Sequence, residues 1–124
     1  MKFNNIYDVK KWLRNIPFLK KEIELKIKFY MDLENEFNSS PSFSKTVEYY
    51  KSEIEVLQKK MEKLMDDVNK LFSILDENEK MVMTARYINL IRWDYIEFQV
   101  YYSRRQAIRV HDKALLKLVG QTVS

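Results

Sequence analysis

The chain has no cysteine, one glycine, two prolines and one histidine in 124 residues. Without cysteine there is no disulfide, thiolate metal site, iron–sulfur cluster or thiol nucleophile. His111 by itself cannot assemble a histidine-based zinc site. One glycine and two prolines leave too little turn chemistry for hairpins, glycine-rich phosphate loops or an α/β sheet, so long helices remain. No apolar run approaches the ~20 residues of a membrane span, and Met1-Lys2-Phe3-Asn4-Asn5 has no signal-peptide core. The expected location is the cytoplasm, with no membrane partner. No Asp/Glu/His set suggests a catalytic pair, so neither an enzyme nor a metal or cofactor is expected.

What is present is the composition of a folded chain, 46% hydrophobic and 32% charged. Its length fits one domain, or a small domain with an arm. The formal charge is +4, and its placement matters more than its size. Residues 79–124 carry 8 basic and 4 acidic residues, whereas 1–37 carry 8 and 6 and 38–78 carry 6 and 8. Arg86, Arg92, Arg104, Arg105 and Arg109 all fall in the last segment. Arginine makes forked contacts to phosphate and guanine, so this end suits a polyanion. A solvated basic face is the plainer alternative.

Along the chain, Asp8 is a candidate cap for a helix from Val9. Pro17 interrupts or restarts that helix, because proline is tolerated only in a first turn. Leu19, Ile23, Ile27, Tyr30, Met31, Leu33 and Phe37 then predict one amphipathic helix over 18–37. Asn38-Ser39-Ser40-Pro41-Ser42 reads as a loop. Beyond it, Val47, Ile54, Met61, Val68 and Leu75 stand seven apart, with Tyr50, Leu57, Leu64 and Leu71 three after them. That is an a/d heptad. Met65 and Phe72 widen the apolar stripe beyond a two-stranded seam, which favours an antiparallel hairpin with the first long helix. Val47, Tyr50, Ile54, Leu57, Met61, Leu64, Val68 and Leu71 are the expected oligomerisation residues. Asp76-Glu77-Asn78 breaks the heptad. Helical segments over Glu79–Ile88, Trp93–Val100 and Ser103–Val119 follow, joined through Asn89-Leu90-Ile91 and Tyr101-Tyr102. The expected fold is all-α, with a helical hairpin or coiled coil over 1–76 and a three-helix module over 77–124.

The last segment carries the functional signal. Counting from Ile96, Val100, Tyr102, Ala107 and Val110 lie 4, 6, 11 and 14 residues on. A helix-turn-helix needs apolar residues at those offsets to lock its two helices together. Ser103 then caps the second helix, and Gln106 completes an S-x-x-Q box. With Ala107, Val110, Ala114 and Leu118 inward, Arg104, Arg105, Ile108, Arg109, Asp112 and Lys113 face outward.

Leu75, Glu79, Val82, Arg86-Tyr87-Ile88, Trp93 and Ile96, followed by Tyr102 to Gln106, Arg109 to His111, Lys113 to Leu115 and Leu118, carry a family resemblance. This part resembles the ArpU/RinA-like regulators of phages and prophages in Gram-positive bacteria, which are similar to region four of sigma factors. The resemblance covers about the last 50 residues. It implies a transcription regulator, often of late phage genes, that binds double-stranded DNA with Ser103 to Arg109 leading and Trp93 opening the supporting helix. The DNA-binding set is then Arg92, Ser103, Arg104, Arg105, Gln106, Ile108, Arg109 and Lys113. A homodimer is the expected assembly, and RNA polymerase a further partner. Two positions depart from the usual helix-turn-helix pattern. Glu97 stands where a small residue is usual, so it must splay the helices, reach outward or pair with an arginine. Tyr101 replaces the turn glycine, so it needs a positive φ or another turn geometry.

The remaining residues have plainer roles beside the functional ones. Ser103 is first a cap and then a phosphate contact. His111 is a surface or packing residue, and Trp93 a core residue or brace. Tyr95, Phe98 and Tyr102 are expected in the core. Arg86 and Arg92 flank the reading helix as phosphate contacts, and Asp112 is an alternative holder of Arg109. Two other classes remain open. One is a DNA-packaging subunit of small-terminase type. The other is a coiled-coil adaptor that does not bind DNA.

Overall fold

A computed structural model gives the fold and describes residues 1–37 and 43–123. The expected loop over 38–42 lies outside the described residues. Helices α1 (Ile6–Leu13), α2 (Asn15–Phe37), α3 (Phe43–Phe72), α4 (Glu77–Met83) and α5 (Arg104–Leu118) make an all-α chain. A π-helical turn, Thr84–Ile88, and a 3₁₀ helix, Trp93–Phe98, lie between α4 and α5. Among the described residues no helix is long and apolar enough to cross a membrane.

The chain divides into two compact units. The first is Phe18–Leu64, formed by most of α2 and α3. Pro17 sits in the first turn of α2, where its missing N–H costs nothing. The Phe29 ring meets Tyr50 edge-on at 5.2 Å, and Lys26 Nζ donates to Glu53 Oε2 at 2.5 Å. Three residues back on α2 thus match three forward on α3, which makes the pair antiparallel. The Lys26 ammonium, and after it the Tyr49 hydroxyl, hold the Glu53 carboxyl below the usual carboxylate range. Of the heptad residues here, Leu57 is buried, while Val47, Tyr50, Ile54, Met61 and Leu64 are half-buried.

The second unit is Met1–Pro17 with Met65–Ser124. The expected division at residue 76 therefore falls inside it. The cause is burial: Phe3, Val9, Trp12 and Leu13 from the start, and Val68, Leu71, Phe72 and Leu75 around the end of α3, all leave solvent. α1 packs on α5, as does α4. Asn5, not Asp8, caps α1, because its Oδ1 reaches the Asp8 amide at 2.9 Å. Asp8 instead accepts from Asn4 N at 3.0 Å.

Asp76-Glu77-Asn78 does more than end the heptad. Asp76 Oδ1 accepts from Glu79 N at 2.8 Å, and Glu79 Oε1 accepts from Asp76 N at 3.0 Å, a full capping box. α4 therefore starts at Glu77 rather than Glu79. Lys117 Nζ from α5 donates to the same Glu79 oxygen at 2.6 Å. The helix expected through Ile88 leaves α geometry after Met83. It widens into the π turn, closed by Asn89 N to Thr84 O and Ile91 N to Ala85 O, each 2.9 Å. Between those bonds Leu90 takes φ +57°, a left-handed backbone disfavoured by any side chain.

The one glycine lies past the end of α5. Gly120 has φ +89°, which turns the chain so that Gly120 N donates to Phe3 O at 2.7 Å. An antiparallel bridge between Lys2 and Thr122 follows, with Phe3 N to Gln121 O at 3.0 Å and Val123 N to Met1 O at 2.9 Å. A Cβ at Gly120 would meet nothing within 4 Å, so alanine there strains only the backbone. Gly120→Ala is expected to cost about 1 kcal/mol. Urea unfolding should then show a lower midpoint with an unchanged slope.

Candidate nucleic-acid interface

The helix-turn-helix spacing describes a real cluster. Ile96, Val100 and Ala107 are buried together with Val82 and Ala85. Tyr102 and Val110, the other two offset residues, pack against it half-buried, with Met81, Ile91 and Trp93. The supporting segment is 3₁₀ rather than α, and Gln99 N and Val100 N both reach Ile96 O at 3.0 Å. Glu97 resolves its conflict by facing solvent. Among the described residues only Leu90 and Gly120 have positive φ, so Tyr101 uses a different turn geometry.

The 3₁₀ winding also corrects the aromatic expectation. At three residues per turn, Trp93 and Ile96 share one ridge and Tyr95 and Phe98 another. Tyr95 and Phe98 therefore leave the core, with Phe98 76% and Tyr101 96% exposed. Of the expected core trio only Tyr102 packs inward.

α5 begins at the expected cap. Ser103 Oγ accepts from Gln106 N at 3.2 Å, and Ala107 N donates to Ser103 O at 2.8 Å. The box is half of the expected one, since the Gln106 side chain makes no return bond to the Ser103 amide. Past the cap, Arg105, Arg109 and Lys113 stand at i, i+4 and i+8, exposed along about 12 Å of one helix face. Among the described residues none of the three has an ion-pair partner. Asp112 bonds His111 instead of Arg109.

The other two arginines of the expected set are engaged. Asp94 Oδ1 lies 3.1 Å from Arg104 Nη1, and Asp94 Oδ2 lies 3.5 Å from Arg92 Nη2. All three side chains are largely exposed, so these are surface pairs that exchange with solvent and weaken in salt. Ile108 is half-buried rather than fully outward. Asp94 is the residue that sequence reasoning missed. Its signal is an acid in the first turn of the supporting helix, two residues after Arg92 at the helix cap and opposite Arg104, which the turn brings back to it.

The opposite side of α5 is sealed by His111, 5% exposed. Its ring stacks on Tyr87 at 5.5 Å and meets Trp93 edge-on at 5.0 Å. Nδ1 lies 3.0 Å from Asp112 Oδ1, and Nε2 lies 2.7 Å from the Tyr87 hydroxyl. A carboxylate only accepts, so Nδ1 carries the proton and Nε2 accepts from Tyr87. Burial pushes the His111 pKa below 6.5, against the pull of Asp112. The unfolded chain binds a proton at 6.5 that the folded chain refuses. Stability from neutral His111 is therefore complete above 6.5 and lost as pH falls through the lower folded value. The melting temperature is expected to fall with acid over that window, and His111→Gln to flatten that slope.

No protein-family model, curated protein sequence or solved structure matches the chain.

Proposed function

We propose that the C-terminal unit binds double-stranded DNA with α5 leading into the major groove, as part of a sequence-specific transcription regulator. The observation that carries this reading is the joint one at α5. A wedge of Ile96, Val100, Tyr102, Ala107 and Val110 supports the helix from behind. Arg105 and Arg109 line its outer face exposed and without an ion pair among the described residues, with Lys113, which also feels Asp76, one turn on. Buried packing fixes the direction of the helix, and free cations on its far side supply what phosphates and base edges require. The resemblance to phage and prophage regulators of ArpU/RinA type points the same way. The half-buried heptad of α3 and the exposed Leu25, Phe29, Met31 and Val56 support a homodimer through the hairpin. Two reading helices would then be spaced by about one DNA turn, ~34 Å, or a multiple of it.

Fluorescence anisotropy on duplexes from the DNA neighbouring the protein's own gene tests this directly. Affinity is expected to prefer one fragment and to fall steeply with salt, by a log–log slope of about −3 where all three cations neutralise phosphates. Binding without salt dependence or preference would sink the reading.

A second reading has its own observation. Tyr95, Phe98 and Tyr101 form an exposed aromatic set beside two arginines already held by Asp94. That surface suits a protein partner such as RNA polymerase, with DNA secondary or absent. Light scattering separates the assemblies, since a ring would favour a packaging subunit over a dimeric regulator.

A further inference from the structure

A concavity on the far side of α5 has the chemistry of a separate site. It is walled by Lys10 from the last turn of α1 and Arg14 at its C-cap, Arg86, Tyr87 and Leu90 from the π turn and its exit, Trp93, and His111. Three of these residues are cations, and none of the wall residues is an acid. Asp112, with its Oδ1 3.0 Å from His111 Nδ1, offsets part of that charge, and the remaining excess of like charge repels unless a further anion sits among the three. Burial is the largest influence on both rings, pushing Tyr87 up and His111 down; beside it Lys10 and Arg86 disfavour a charged His111, and Arg86 and Arg14 favour ionising Tyr87, while Asp112 opposes each.

The walls are also built and held. The Arg86 guanidinium lies 5.1 Å over the Trp93 ring and donates one N–H to Ile91 O at 3.1 Å. A guanidinium has five N–H donors, so the rest of the fork is free. The π turn sets Arg86, and Leu90 keeps its left-handed backbone at the same rim. Strain and π geometry kept at one place are commonly retained for a ligand. The cavity holds about 290 Å³, at the small end of organic ligand pockets. That exceeds a bare phosphate and suits one base with its sugar and phosphate. His111 lies about 200° around α5 from Arg109, so a duplex on the Arg105–Arg109–Lys113 face does not reach this cavity.

We propose that this cavity binds a small phosphorylated ligand of mononucleotide size, its phosphate on Lys10, Arg14 and Arg86 and its ring on the aromatic wall. The site is independent of the DNA reading. A ligand there would touch α1, the π turn and α5 together.

The test is a titration of the full ¹⁵N-labelled chain with adenosine monophosphate, adenosine and inorganic phosphate. The expected result is movement of the Trp93 indole N–H and of the Tyr87 and His111 amides with the monophosphate. Adenosine should bind about tenfold or more weaker, because the charge-assisted bonds are lost. Lys10→Gln with Arg14→Gln should weaken the monophosphate about tenfold or more while leaving the melting temperature near wild type. Arg105→Ala with Arg109→Ala should leave it unchanged. No shift at millimolar monophosphate, shifts confined to the Arg105 face, or equal binding by the Lys10/Arg14 variant would each overturn the proposal. A duplex arm separates the phosphate sources. Movement of the Trp93 indole by duplex but not by monophosphate would assign the cavity to backbone phosphate and overturn the small-ligand site.

Discussion

Arg105→Ala combined with Arg109→Ala is expected to weaken duplex binding at least about 30-fold and to remove the preference among fragments, since each such contact contributes about 1–3 kcal/mol. The salt slope should shrink by about 1 for each of the two that lies on a phosphate rather than a base edge. Both side chains are exposed and unpaired, so their loss leaves the core and the cap intact, and the melting temperature should hold. Arg104→Ala should do less, because its guanidinium already faces Asp94 at 3.1 Å. Asp94→Asn should do the opposite. It releases Arg92 and Arg104 together and removes an anion beside the duplex, so binding should tighten and the salt slope steepen. A double variant that binds like wild type would move the contact away from α5 and leave the exposed Tyr95, Phe98 and Tyr101 as the working surface.

The parts of the fold written in period and offset were legible. The heptad located α3 and its antiparallel partner. The 4, 6, 11 and 14 spacing from Ile96 named the residues that meet under α5. What was not legible depended on which helix type a short segment adopts. Six residues from Trp93 to Phe98 carry no side-chain cap, and they wind as 3₁₀, which turns Tyr95 and Phe98 out of the core. Helix ends were ambiguous for a similar reason. Asn5 and Asp8 are both good caps, and only the geometry decides that Asn5 holds the amide. The cavity behind α5 was not visible either. Lys10 and Arg14 stand far along the chain from Arg86 and His111, and their convergence follows from α1 packing on α5. The sequence suggests Arg86 as a phosphate contact beside α5, whereas its guanidinium lies over Trp93 and bonds Ile91 O at the wall of the cavity.

Ile96→Ala is expected to cost about 2–5 kcal/mol, a large share of the ~5–15 kcal/mol that holds a domain folded. Ile96 is fully buried in the cluster joining α4, the π turn, the 3₁₀ helix and α5, so its truncation opens a cavity that its neighbours close only in part. Glu97→Ala, one residue along, should stay within about 0.5 kcal/mol, because Glu97 faces solvent. The contrast checks the register of the motif, since a slip of one residue would exchange the two outcomes. Ile96→Val, which keeps most of the volume, should cost only about 0.5–1.5 kcal/mol. Urea unfolding followed by circular dichroism reads all three. The same variants separate support from contact. Ile96 touches no duplex in this arrangement, so DNA affinity per folded Ile96→Ala molecule should equal that of wild type. The Arg105/Arg109 variant should do the reverse, keeping its fold and losing its affinity. If Ile96→Ala instead loses affinity while fully folded, the cluster does more than hold α5: it sets the angle at which α5 enters the groove, and the 3₁₀ segment becomes part of the reading surface.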